Sequence, residues 1–424
     1  MGGIKIADFV EEKNKKIMKK HCVIEIMCYN ESNEKNLIEK GEKSMRVIVA
    51  MDSFKGSLSS SEAGNAVREG ILKACPAAEV ETAALADGGE GTAETLVCSM
   101  GGFWETCVVH DPLGRPVEAR YGVIPDRNLA IIESAQAIGL VLLAENERNP
   151  MKASSVGLGE MIAHAIEKGY RNFLIGIGGS ATNDGGVGML SALGYEFLNE
   201  NGEPIGSGAG ALRYLSEIKT EGRNPALSEC HFSVACDVKN PIGGTYGCSR
   251  IFAPQKGADP KDIPLMDAYL VRYAVMSGRL LQNNFALKEG SGAAGGLGFA
   301  FVSYLNAELC KGAELVMKLT KLEEKIKKAD ILVTGEGSFD HQSFMGKGPF
   351  EAAQLAKLHG KYVLVLAGSV SNTDSIGESG ISAAFSIVPS PCSLAQAMEE
   401  ETAYRNLKQS AEQVFRLVGA MWGK

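Results

Sequence analysis

The sequence predicts an α/β protein built on parallel sheet, and three observations carry that expectation. Short β-branched strands alternate with segments of helical apolar spacing. Each strand runs into a loop rich in glycine and acids, the place where ligands collect in parallel sheets. At 424 residues, 45% hydrophobic and 22% charged, the chain can bury a large core and is long enough for two domains.

Arg46-Val47-Ile48-Val49-Ala50 reads as the first strand, followed by the loop Asp52-Ser53-Phe54-Lys55-Gly56-Ser57 and a helix from about Ser60 to Cys75. A second strand, Glu79 to Leu85, leads into Ala86-Asp87-Gly88-Gly89-Glu90-Gly91-Thr92 and a helix to Met100. From Phe103 to Glu133 the pattern changes to three β-like runs parted by Pro-Leu-Gly-Arg and Pro-Asp-Arg-Asn turns, so a second domain is expected to begin at residue 103. It continues through a helix at Ser155 to Lys168, the strand Phe173 to Ile177, a glycine-rich loop, a helix to Leu193 and the strand Phe232 to Cys236. Return to the first domain is expected near Gly290 to Gly298. A helix, the strand Asp330 to Thr334, a loop, a helix near Phe350 to His359 and the strand Tyr362 to Leu366 follow. The expected division is therefore 45–102 with 299–424 as a doubly wound parallel-sheet domain, 103–298 as an inserted mixed α/β domain, and the active site in the cleft between them.

Residues 1–44 differ in texture, being crowded with Lys, Glu and Asn around one apolar island, Val23 to Met27. Two expectations stand for this stretch. One is a translated leader, because Gly41-Glu42 requires purine-rich codons at the spacing of a bacterial ribosome-binding site before Met45. The other is a genuine but poorly ordered extension.

A net charge of −8 supplies no basic footprint for nucleic acid and no attraction to anionic membranes. No apolar run approaches the roughly 20 residues needed to cross a bilayer, and no signal peptide is visible. The expected location is the cytoplasm, and the expected partners are a small molecule and further copies of the chain as a homo-oligomer. The ten cysteines show no C-x-x-C pair or zinc spacing. Cys75, Cys98 and Cys310 read as buried helical residues.

Phosphoryl transfer requires backbone amides and cations for phosphate oxygens, oxygen ligands for magnesium, and a group that orients the acceptor hydroxyl. Gly178-Gly179-Ser180-Ala181-Thr182-Asn183-Asp184-Gly185-Gly186 sits between a strand and a helix, where free amides can face an anion and Asn183 and Asp184 can hold metal. The competing reading is a tight turn capped by those two residues. Thr334-Gly335-Glu336-Gly337-Ser338-Phe339-Asp340 follows another strand and ends near Gly346-Lys347-Gly348. Glu336 there is either a metal ligand or a helix cap. Asp52 and Lys55 end the first strand, Asp87 the second, and Asp237 lies in Ala235-Cys236-Asp237-Val238, the preferred place for a metal or acceptor-hydroxyl contact.

No G-x-x-x-x-G-K-[ST] exists: His341 stands where the leading glycine belongs and Gly348 replaces the hydroxyl residue. Gly176-Ile177-Gly178-Gly179-Ser180-Ala181 matches a dinucleotide fingerprint, with Glu196 at roughly the acid's spacing. An NAD-dependent oxidoreductase is therefore the second reading, weakened by Asn183 and Asp184 crowding the place of a pyrophosphate.

Taken in order, Asp52-Ser53-Phe54-Lys55, Ala86 to Thr92, Arg148-Asn149-Pro150, Ile177 to Gly186, Ala235-Cys236-Asp237-Val238, Pro254-Gln255-Lys256-Gly257, Gly292 to Gly298 and Thr334-Gly335-Glu336-Gly337 resemble the bacterial type-1 glycerate kinase family from Met45 to about the C-terminus. Ala253 and Ser338 depart from its pattern. The resemblance implies ATP-dependent phosphorylation of D-glycerate, with 2-phosphoglycerate favoured, and a bacterial source. On that basis ATP phosphates are expected at Gly178, Gly179, Ser180, Thr182, Gly295 and Gly296, with Lys55 or Lys347 neutralising charge. Mg2+ is expected at Asp184, Glu336 or Asn183, with Asp237 as a further choice. Arg148 beside Ser154, or Arg115, would meet the glycerate carboxylate, and Asp52 would lie on the substrate side. Asp87 or Asp237 would accept the hydroxyl proton.

Overall fold

The computed structural model describes residues 44–89, 91–283, 285–340, 343, 348–371 and 379–422. The expectations for residues 1–43, Glu90, His341 and Lys347 lie outside the described residues. Residues 46–419 form one compact unit.

Two sheets organise it. The first has five parallel strands: Glu79–Thr82 at one edge, then Arg46–Met51, Ile331–Gly335 in the middle, Tyr362–Ala367 and Ala383–Ser386. Numbered along the chain, the order is 2-1-3-4-5, the flavodoxin-like arrangement whose switch point lies between the first and third strands. The sheet is covered on both faces, which explains the unbroken apolar run of Val47 to Met51. Ile48 and Ala50 face Leu322, Ile326, Ala352, Ala353 and Ala356 from two helices, Leu322–Lys328 and Gly348–Leu358. Strand alternation turns Val47, Val49 and Met51 the other way, toward the helix Ser60–Ala74, which the helix Glu400–Met421 crosses at Gly70. Ser59 and Glu62 start the former helix with a reciprocal capping box.

The second sheet has six strands in the order Glu308–Cys310, His231–Ala235, Asn172–Gly176, Leu129–Glu133, Pro116–Ile124, Phe103–His110. The first four are mutually parallel and the last two complete the antiparallel meander. One face packs on the helices Val156–Glu167, Ile263–Leu281 and Ala293–Leu305 through Leu158, Leu270, Phe299 and Phe301. The other face, through Ile131 and Leu174, packs on Ala93, Leu96, Leu315 and Val316.

That second face shows which sheet the flanking segments pack on. The helix Thr92–Met100, expected with the first sheet, buries Ala93 and Leu96 on the second. Residue 298 falls inside the helix Ala293–Leu305, whose side chains complete the second sheet's core, and Glu308–Cys310 still pairs with His231–Ala235. The chain therefore crosses between sheets at Asp87 to Thr92 and again after Cys310. The expected strand through Leu85 stops at Thr82, where its register with Arg46–Met51 runs only from Arg46 to Val49. The cysteine expectation also changes: Cys75 only follows its helix as the cap and is half-buried, Cys98 is exposed, and Cys310 lies in a strand. Among the described residues no helix is long and apolar enough to cross a membrane.

Candidate active site

The carboxyl ends of the strands from both sheets converge at Asp87. Gly88 makes this possible: it sits at φ +84°, and a Cβ there would lie 2.6 Å from Gly312 Cα and 2.7 Å from the Ala235 Cβ. Only glycine lets the loop from the first sheet approach the strand ends of the second so closely. Asp87 lines two clefts at once.

The larger cleft, about 700 Å3, opens at the switch point of the first sheet. Asp52, Lys55, Asp87 and Glu336 line its polar end, and Phe54, Ile387, Val388, Leu394 and Met398 its apolar wall. Asp52 is held by its own strand end, its amide donating to the Gly335 carbonyl at 2.9 Å while Oδ1 accepts from the Ser53 amide at 2.7 Å. Burial, then the Asp87 charge, push its carboxyl up to about 7, with Glu336 adding to the effect and Ser53 and Lys55 opposing it. Lys55 Nζ lies 3.4 Å from Asp87 Oδ2, and that partner raises its pKa. Two of these residues are nearly inaccessible acids, Asp52 and Glu336, beside a third acid and a single lysine. Among the described residues that line it, the cleft's acids outnumber its basic side chains.

The smaller cleft, about 440 Å3, is lined by Asp87, Gly88 and Gly89, by Gly178, Gly179 and Ser180, by Asp237, and by Gln255 and Lys256. Asp237 Oδ1 accepts from the Gly312 amide at 3.1 Å. Burial pushes its pKa up; the Gly312 amide opposes this, and Asp87 reinforces it. Lys256 is 2% exposed, and its ammonium donates to Ser180 Oγ at 3.0 Å and to the Thr182 carbonyl at 2.7 Å. Motif reading quoted this lysine without giving it a role; the only signal was its place in Pro254-Gln255-Lys256-Gly257.

Of the residues singled out from sequence, Asp52, Lys55, Asp87, Asp237, Glu336, Gly178, Gly179 and Ser180 come together on these clefts. Others are drawn away. Asp184 is 1% exposed, and its two oxygens take hydrogen bonds from the Ser155 amide and hydroxyl, both 2.8 Å, and from the Gly186 and Gly188 amides. With both oxygens so engaged it clamps the glycine-rich loop to the helix at Val156. Asn183 is buried behind it, donating to Ser249 Oγ at 2.8 Å. Gly295 and Gly296 adopt φ +70° and +93° inside the start of a helix, and a Cβ on Gly295 would lie 2.1 Å from the Thr182 carbonyl. They let that helix press on the loop from behind, and Thr182 is the residue pressed. Ser154 caps locally, accepting from the Val156 amide at 3.3 Å. Arg115 is tied to Asp111 at 2.6 Å and Glu147 at 2.8 Å beside the meander turn. Arg148 lines neither cleft; its backbone and Cβ pack on Gly257, and its Nε is buried without a partner. The dinucleotide reading also loses its acid, since Glu196 opens a separate two-stranded antiparallel pair with Glu217–Lys219 rather than the next strand of the parallel sheet.

An acid-lined cleft able to take a cation, joined through one aspartate to a cation-backed, glycine-rich cleft, has the parts for moving a phosphoryl group onto an anionic acceptor. The glycerate kinase family model matches residues 47–419. The chain is 42% identical over 373 residues to the glycerate 2-kinase of Escherichia coli K12, covering 87% of this chain and 97% of that one. It is 40% identical over 379 residues to the glycerate kinase of Halalkalibacterium halodurans, covering 89% and 99%. A crystal structure from Salmonella typhimurium LT2, assigned as glycerate kinase 2, superposes with a TM-score of 0.83 at 40% identity, over 89% of this chain and 99% of that one. The chain is therefore a kinase and belongs to the glycerate kinase family.

Proposed function

We propose that this kinase transfers the γ-phosphoryl group of ATP to D-glycerate in the cytoplasm, giving 2-phosphoglycerate. The observation that carries the reading is Asp87, shared by a nucleoside-sized cleft with an apolar wall and a smaller cleft backed by a buried cation. We further propose that the two sheets are two domains, the second inserted into the first, and that the reaction takes place where their strand ends meet. Attack by the 2-hydroxyl draws support from the name of the Escherichia coli relative, a glycerate 2-kinase.

In this reading the adenosine lies against Phe54, Ile387, Val388 and Met398, and the phosphates run toward Asp87. Lys55 neutralises phosphate charge. The residues fit magnesium: among the described residues no preformed group of three metal-ligating side chains exists, but Mg2+ beside nucleotide phosphates needs only one or two carboxylates. Asp52, Asp87 and Glu336 supply oxygen donors whose mutual repulsion a cation relieves. When bound, the ion would neutralise charge on the transferring group. D-glycerate occupies the smaller cleft, so the glycine-rich loop, first expected to take ATP phosphates, serves the acceptor instead. Asp237, whose raised pKa makes it a stronger base than an ordinary carboxylate, accepts the hydroxyl proton.

The test is direct. The purified chain, ATP, Mg2+ and D-glycerate should release ADP and give a 2-phosphoglycerate resonance in phosphorus NMR. Absence of acceptor-dependent ADP release would sink the reading, and a 3-phosphoglycerate signal would move the attack to the other hydroxyl.

A further inference from the structure

Lys256 is a buried ammonium whose surroundings do not neutralise it. An ammonium has three donors and no acceptor. Two are spent on Ser180 Oγ and the Thr182 carbonyl, both uncharged. The charged and titratable groups that bear on it are Asp184, whose oxygens already take four hydrogen bonds, and the buried thiol of Cys248. Burial lowers the Lys256 pKa to about 8, and those two groups only partly offset it. A lysine kept this way stores an unmet attraction for an anion.

Ser180 carries that attraction into the cleft. Its Oγ accepts from Lys256, so its own hydrogen must be given elsewhere, and no acceptor for it occurs among the described residues. Ser180 and Lys256 both line the smaller cleft, with Asp237 lining it as well. One part of the cleft thus offers hydrogen-bond donors and positive charge, and another offers a carboxylate acceptor. A molecule carrying both a carboxylate and a hydroxyl satisfies the two together. A neutral polyol leaves the lysine unmet, and a buried polar group without its partner is what produces strong discrimination.

We propose that Lys256, acting through Ser180, reads the carboxylate of the acceptor and makes this cleft selective for small hydroxy acids over their neutral analogues. The inference rests on the kinase reading above, with Lys256 as a positioning residue rather than a catalytic one.

The experiment compares Lys256→Gln, Ser180→Ala and the double variant in ATP-dependent turnover of D-glycerate, with glyceramide, the neutral amide analogue, as competitive inhibitor. A hydrogen bond to a charged group of about 1.5–3 kcal/mol corresponds to a rise of roughly ten- to a hundredfold in KM for D-glycerate. The KM for ATP should not move. The ratio of glyceramide Ki to glycerate KM should shrink by at least about tenfold, and the double variant should be no worse than Lys256→Gln alone, because the lysine works through the serine. In the wild type the KM for D-glycerate should also rise above about pH 8, and Lys256→Arg should carry that rise to higher pH. A rise in the KM for ATP instead, an unchanged ratio, or losses that multiply in the double variant would overturn the proposal. If Lys256→Gln does not fold, Ser180→Ala alone decides by the same readouts. Wild-type protein that releases no ADP with D-glycerate would refute the kinase reading itself, a result distinct from any of these.

Discussion

The two clefts that meet at Asp87 both hold carboxylates, but they place their cation differently. On the first sheet, Asp52, Asp87 and Glu336 outnumber Lys55, and burial with mutual repulsion holds Asp52 near neutrality. On the second, Asp87 and Asp237 share the cleft with one buried lysine, which donates to the Ser180 hydroxyl and the Thr182 carbonyl. Both are costly arrangements for an empty protein, because a charge removed from water loses its hydration. Each is relieved by a ligand of opposite sign, a cation with phosphates in one and a carboxylate in the other. Sites that keep such unmet charge trade stability for binding, and the variants below separate the two currencies.

The largest effect is expected where the two clefts join. Asp237 lines the acceptor cleft and feels the charge of Asp87. Asp237→Ala should lower kcat by at least about a hundredfold, the usual worth of a positioned base, with circular dichroism and Tm close to wild type. Near-normal turnover would remove Asp237 from the chemistry and leave Asp87 as the base.

Asp184 is the counterpart, expected at a metal but engaged by four hydrogen bonds inside the fold. Replacing it with alanine strands the hydroxyl of Ser155 and the amides of Ser155, Gly186 and Gly188. At about 1–3 kcal/mol for each buried donor left unmade, the loss should exceed about 3 kcal/mol and show as a large fall in Tm or as insoluble protein. A stable Asp184→Ala protein that had lost only its magnesium dependence would restore the metal role first expected for it.

That contrast also marks how far the sequence reaches. Strand-then-loop alternation located Asp52, Asp87, Asp237 and Glu336, because in a parallel sheet the residues after each strand gather at one end whatever the rest of the chain does. Four strands of the first sheet and the meander were legible from local pattern, whereas the edge strand Ala383–Ser386 was not. Within the loop 178–186 the direction of each side chain was not legible. Asp184 turns inward because Ser155 meets it, and Gly295 presses on Thr182 from more than a hundred residues away. Lys256 was passed over because a lysine in a polar stretch usually reads as solvated, and nothing local says that this one is buried against Ser180. The sheet to which the chain near residue 298 belongs was not legible either, since Phe299 and Phe301 say that the helix is buried but not on which sheet.

A smaller effect of opposite sign is expected at Asp52. Its folded pKa of about 7 lies above the ordinary 3.8, so the folded state holds the proton more tightly. Its contribution to stability is then full below about pH 4 and is lost as pH rises through 7. Asp52→Asn should therefore be more stable than wild type at pH 8, by about 1–3 kcal/mol, and no more stable at pH 4, while activity falls. Thermal melts at the two pH values check the sign, and equal shifts at both would mean that the gain does not come from the acid cluster.

The smallest effect separates charge that serves a ligand from charge that serves only the surface. Arg115 was expected at the glycerate carboxylate, but its guanidinium reaches Asp111 and Glu147 beside the meander turn and lines neither cleft. It differs from Lys256 in both respects that matter: it is exposed to water and already paired with carboxylates. Exposed ion pairs of this kind contribute little. Arg115→Ala should leave the KM for D-glycerate and kcat within about twofold of wild type, set against the tenfold or larger rise expected for Lys256→Gln. A KM that rose as steeply for Arg115→Ala would mean that the turn folds onto the cleft when substrate binds, and the carboxylate would then be read by two cations from opposite sides.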